Sequence, residues 1–128
     1  MLKRVLLVAL ATVAIPAALA AQPYPNKPVR FIVPVAAGGS TDTTARIVAE
    51  ALSASLGQPF VVENRPGAAT TIGIDLVAKS KPYGYTVGIS GVAAIALIPN
   101  VDLKLSYSPE RDLDVISGLA SVDGIIVA

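Results

Sequence analysis

Histidine, cysteine and tryptophan are missing from all 128 positions, and each absence removes chemistry. Without imidazole there is no Ser-His-Asp or Cys-His triad, no imidazole proton shuttle, no ordinary zinc site and no histidine-ligated haem. Without a thiol there is no disulfide, no thiolate nucleophile, no iron–sulfur ligation and no lipoprotein anchor, which needs a modified Cys at the cleavage point. Charge is sparse as well: ten Lys+Arg stand against nine Asp+Glu, a net of +1. That thin spread lacks the clustered basic face that nucleic acid requires, so no nucleic-acid partner is expected. Glu110, Asp112 and Asp114 lack the spacing and central glycine of a calcium loop and read as solvated loop charges, so no metal is expected. Apolar residues make up 53% of the chain, which is enough for a core and too many for a disordered polymer.

Part of that apolar content reads as a targeting signal. Met1-Leu2-Lys3-Arg4 is a positive start, residues 5–15 are apolar apart from Thr12, Pro16 interrupts, and Ala18-Leu19-Ala20 is a small-x-small cleavage pattern. Residues 1–20 are therefore expected to be a signal peptide cut after Ala20, with export as the outcome. The alternative is an uncleaved anchor, because residues 5–21 come near the lower length limit for spanning a bilayer. Setting Lys3 and Arg4 aside leaves eight basic and nine acidic residues over 21–128, and that length makes one small domain at most.

Past the signal, residues 21–28 are proline-rich and read as an extended lead-in. Val29-Arg30-Phe31-Ile32-Val33, ended by Pro34, has the look of a mostly buried strand. Ala36-Ala37-Gly38-Gly39-Ser40-Thr41-Asp42 then turns into a helix that Ser40 or Thr41 is expected to cap. The inward stripe of that helix is Ala45, Val48, Ala49, Leu52 and Leu56. Arg46 and Glu50 lie off the stripe as a weak surface pair, and Gly57 followed by Pro59 stops the helix. Phe60-Val61-Val62 restarts a strand. Residues 72–79 suit a short helix with Ile72, Leu76 and Val77 inward, and Tyr85-Thr86-Val87-Gly88-Ile89 is a third strand. An apolar stretch at 93–98 and two further runs, Val115-Ile116 and Gly124-Ile125-Ile126-Val127, follow. The order β-α-β-α-β-α predicts an α/β fold with a doubly wound, mostly parallel sheet, because consecutive parallel strands need crossover helices. The closing apolar run reads as the cut edge of something larger, so 29–128 is expected to be an incomplete α/β lobe.

In such sheets ligands sit beyond the carboxyl ends of the strands, where helix amino termini present backbone amides. Three places qualify: Gly38-Gly39-Ser40-Thr41-Asp42, suited to an anion such as a carboxylate; Gly67-Ala68-Ala69-Thr70-Thr71-Ile72-Gly73; and Ser90-Gly91-Val92. Each alone reads better as a turn whose glycines meet steric needs and whose Ser/Thr merely cap, and only their shared sheet edge favours a site. No Walker A loop or dinucleotide fingerprint is present. Ser90 has no His to activate it and lacks the final glycine of a nucleophile elbow, and no pair of carboxylates is positioned on one element. An enzyme is disfavoured.

These loops resemble a known family. Pro28-Val29-Arg30-Phe31-Ile32-Val33-Pro34, Ala37-Gly38-Gly39-Ser40-Thr41-Asp42, Leu56-Gly57-Gln58-Pro59, Val62-Glu63-Asn64-Arg65-Pro66-Gly67-Ala68, Gly84-Tyr85-Thr86 and Tyr107-Ser108-Pro109 look like the tripartite tricarboxylate transporter substrate-binding proteins, also called Bug proteins. The likeness runs through residues 23–128. It implies a periplasmic clamshell of the type II binding-protein kind, monomeric at full length, that captures a small organic acid such as a carboxylate and delivers it to a membrane permease without a cofactor. It also implies that only part of the first lobe is encoded here. Carried over residue by residue, the ligand site is Gly38, Gly39, Ser40, Thr41 and Asp42 in the first loop, Thr71 and Gly73 in the second, and Ser90 and Gly91 in the third. Asp42 in this scheme either caps its helix or accepts a donor from a polar ligand. Departures from the family pattern fall at Val35, at Ala69-Thr70-Thr71 in place of a Gly-Gly-Asn run, at Tyr83, and in the apolar stretch Val92-Ala93-Ala94-Ile95-Ala96-Leu97-Ile98. They leave a second reading open: a non-binding truncated remnant or interaction-prone fragment of such a protein.

Overall fold

The computed structural model describes residues 23–91, 95 and 105–121. The expected signal peptide with its cut after Ala20, the apolar stretch at 93–98 apart from Ile95, and the closing run at 124–127 lie outside the described residues. Within them the chain forms β1 (Val29–Val33), α1 (Ser40–Leu56), β2 (Phe60–Asn64), a 3-10 turn (Ala68–Thr70), α2 (Thr71–Ala78), β3 (Thr86–Gly88) and a short α3 (Pro109–Asp112).

The strands make one sheet in the order β2-β1-β3, and both pairings are parallel. The chain steps from β1 to β2 in one direction and then back past β1 to β3. Right-handed crossovers therefore place α1 and α2 on opposite faces, which is double winding. Alternation along β1 shows it in side chains. Phe31 and Val33 pack with Ala45 and Ala49 of α1, joined by Val35, Val48, Phe60, Val62, Val87 and Ile89. On the other face Gly88 meets Val77 of α2, and Pro34 meets Gly73. Being covered on both sides, β1 buries all its residues but Arg30, as its unbroken β-branched and aromatic run requires.

Helix α1 ends where expected, on Gly57 in the left-handed region (φ 69°). Ser53 ties the helix to β2: its Oγ donates to the Ala49 carbonyl at 2.6 Å and accepts the Phe60 N–H at 2.8 Å. Leu56, placed on the inward stripe, is exposed instead; it is the last residue of the helix, next to the Gly57 cap. The inward side of α2 also differs from expectation. Ile72 is 52% exposed while Ile74 is buried. The cause is Gly73, whose position is so close to Pro34 that only a residue without a side chain fits; facing Gly73 to the sheet turns Ile72 outward.

The lead-in is anchored at the amino end of the sheet. Tyr24 donates its hydroxyl to the Gly84 carbonyl at 2.6 Å, and Tyr85 donates to Asn26 Oδ1 at 2.7 Å. The rings of Tyr24 and Tyr85 meet edge to face with centroids 5.3 Å apart. Farther along, Asp112 is not a free loop charge. It accepts the Ser108 N–H at 2.8 Å and pairs with Arg111 at 2.9 Å, closing the single turn of α3. The Val115-Ile116 run lies in a stretch without regular structure, with both side chains exposed.

Candidate functional site

The strand register decides whether the three loops meet. Val33 lies beside Asn64 and Ile32 beside Gly88, so all three strands finish level and in the same direction. Residues 34–39, 65–70 and 89–91 therefore leave the sheet at one edge. Ladder bonds continue into the loops, with the Arg65 N–H donating to the Val33 carbonyl at 2.8 Å and the Ile89 N–H to the Ile32 carbonyl at 3.1 Å.

In the first loop Gly38 takes φ 91°, a conformation glycine adopts without steric penalty. Its N–H donates to Asp42 Oδ2 at 2.9 Å. The Asp42 carboxylate also accepts from Arg46 Nε at 3.0 Å, Arg46 Nη2 at 3.1 Å and Asn64 Nδ2 at 2.8 Å. Asn64 Nδ2 donates as well to the Val35 carbonyl at 3.0 Å, and its Oδ1 accepts from Arg46 at 3.1 Å. Asp42 is 3% exposed. Of its two expected roles it fills the internal one, holding the Gly38 backbone, α1 and the end of β2 together. Arg46 accordingly turns back to Asp42 rather than forward to Glu50, which replaces the expected surface pair.

Neither Ser40 nor Thr41 caps α1. The N-cap residue is Gly39, with extended backbone and no side-chain cap bond, because the loop is already fixed by Asp42. The first-turn amides of Ser40, Thr41 and Asp42 have no partner within the helix. They sit at the positive end of a 17-residue macrodipole, which is the chemistry an anion requires.

In the second loop Ala68, Ala69 and Thr70 stand at φ 44°, 51° and 77°, a left-handed turn built without glycine. Each such residue costs about 1–2 kcal/mol. The Thr70 hydroxyl is buried and, among the described residues, has no partner. Thr71 donates its hydroxyl to the Ala68 carbonyl at 2.7 Å and so steadies the turn, while Gly73 is buried against Pro34. In the third loop Ser90 Oγ donates to the Gly91 carbonyl at 3.1 Å, and Gly91 has open space around it. A cavity of about 190 Å³ lies along α2, lined by Thr71, Ile72, Asp75, Leu105, Ser106 and Tyr107.

Residues 44–128 match the tripartite tricarboxylate transporter family receptor. The chain belongs to this family. It is 41% identical to protein BugT of Bordetella pertussis over 123 residues, covering 92% of this chain and 36% of BugT. MatC from Rhodopseudomonas palustris with bound malate superposes with a TM-score of 0.66 at 35% identity, over 70% of this chain and 30% of MatC. Another Rhodopseudomonas palustris protein, with adipate, gives 0.51 at 42% identity over 52% and 22%. The chain thus spans about a third of the length of the curated relatives it matches. The family and these neighbours are binding proteins, not enzymes, and the family is periplasmic. The expected α/β class with a parallel sheet holds in the structure and in its neighbours.

Two residues that hold the first loop escape the sequence reading: Asn64 has no role there and Arg46 is paired with Glu50, whereas both bond to Asp42. Beside them Glu63 accepts both Arg30 nitrogens, at 2.7 and 2.9 Å, and Arg65 at 3.0 Å. Arg46 chiefly, then the Gly38 N–H and Asn64, hold Asp42 at about 2, against an ordinary 3.8. Arg30 chiefly, then Arg65, holds Glu63 at about 2 against 4.5. Both pKa values are depressed on folding, so this stabilisation is complete above the ordinary values and fades as pH falls through them toward 2. Urea midpoints are expected to stay level from neutral pH down to about 5 and then to drop steadily toward pH 2, with a shallower drop in Asp42→Asn. A flat profile across that window would contradict the assignment.

Proposed function

We propose that this receptor chain is the first-lobe portion of a periplasmic solute-binding protein that captures a small organic acid, a carboxylate, and passes it to a membrane permease of the tripartite tricarboxylate type. One observation carries the reading: three level, parallel strands deliver three loops to one sheet edge, where α1 opens without a side-chain cap. Malate and adipate in the relatives agree with that chemistry. In this reading the Ser40, Thr41 and Asp42 amides receive the carboxylate, Ser90 and Gly91 flank it, and Asp42, Thr71 and Gly73 shape the loops. Residues 1–20 serve as the export signal, cut after Ala20, and 29–128 form one incomplete lobe. The full-length protein works as a monomer.

Even millimolar affinity needs about 4 kcal/mol, so one lobe is expected to bind weakly. Titration of the isotope-labelled chain with malate and adipate, read by amide chemical shifts, is expected to move Ser40, Thr41, Ser90 and Gly91. The strand starts at Val29 and Thr86 should stay still. No shift at millimolar acid would sink the reading. A chain that has lost binding is the second reading, favoured by the glycine-free left-handed turn and the orphaned Thr70 hydroxyl, and the same titration separates the two.

A further inference from the structure

The opposite edge of the sheet, where the strands begin, carries a face of different character. Residues 23–28 and 79–85 meet there through the Tyr24 bond to Gly84 and the Tyr85 bonds to Asn26. Together they contain Lys27, Lys79, Lys81, Tyr24, Tyr83 and Tyr85 and no acidic residue. Tyr24 and Tyr83 are 54% and 68% exposed. Lys27 Nζ lies 4.4 Å from the centre of the Tyr85 ring. Asp75, on the neighbouring α2, is bound to Lys79 at 2.7 Å, and among the described residues neither Lys27 nor Lys81 pairs with a carboxylate.

We propose that this face is a contact surface for anionic phospholipid. Exposed tyrosines combine an apolar ring with a wet hydroxyl and settle at headgroup depth, and lysines near an anionic surface add attraction that salt screens. The charge is local, since residues 21–128 as a whole carry one more acidic than basic group. The inference stands independently of the solute reading.

The chain has no tryptophan, so Tyr83→Trp in the full chain supplies a single reporter at an exposed position. Its emission is to be compared on vesicles of phosphatidylcholine alone and of phosphatidylcholine with a third phosphatidylglycerol. A blue shift and quenching by brominated acyl chains are expected on the anionic vesicles and are expected to fade at high salt. In the reporter background, Lys27→Gln and Lys81→Gln are each expected to weaken that contact about fivefold; Lys81 makes no side-chain bond among the described residues, so its variant leaves their packing intact. Equal shifts on both vesicles, emission that stays at the water-exposed position, or indifference to both lysine changes would overturn the proposal.

Discussion

Replacing Gly73 with alanine is expected to destabilise the protein by about 2 kcal/mol, although alanine is the better helix former by about 1 kcal/mol. A β-carbon at this position would stand 2.7 Å from Pro34 Cβ, 2.9 Å from Pro34 Cα and 3.0 Å from the Arg65 carbonyl oxygen. These neighbours are main-chain or ring atoms and cannot rotate aside, so α2 must lift from β1. Pro34 opens the first loop and Arg65 the second, so the strain separates the two loops that the site needs together. Gly91→Ala is the control, with nothing within 4 Å of its added carbon, and is expected to leave stability unchanged. Urea unfolding of the two variants checks this. Equal midpoints would show that α2 does not rest on Pro34.

The second large effect is expected at Asn64. Asn64→Ala removes the donor to Asp42, the donor to the Val35 carbonyl and the acceptor of Arg46. Bonds to charged groups contribute more than neutral ones, so the loss is expected to be about 2–3 kcal/mol by denaturant unfolding. Asn64→Asp sharpens the test. It places a second carboxylate beside Asp42, so it is expected to be worse than alanine at neutral pH and to recover toward it as the pH nears 4 and the new carboxyl protonates. An Asn64→Asp chain as stable as the parent at pH 7 would mean that the bond between loop and strand carries no weight.

The elements were legible because their signals are local. The unbroken run at Val29-Arg30-Phe31-Ile32-Val33, the Ala45 and Ala49 stripe, and Gly57 before Pro59 each report on a few neighbouring residues, and the structure bears them out. Parallel pairing followed from alternation alone. The roles within the loops were not legible, because each depends on a partner far along the chain. Asp42 reads as a cap or a ligand contact until Asn64, 22 residues away, is seen donating to it. Ile72 reads as a core residue until Pro34 forces Gly73 inward. Val115 and Ile116 read as an apolar run, and hydrophobicity does not state whether a partner is at hand; both are exposed.

The amino-acid order by itself determined the class of fold, the family likeness and the exclusion of thiol and imidazole chemistry, since composition and period act within a few residues of one another. Only the tertiary structure decided that three loops share an edge, that Asp42 tethers the first of them to the end of β2, and that tyrosines and lysines gather at the other end. Those facts are distances between segments remote in the chain, fixed by strand register and by the crowding of Gly73 against Pro34.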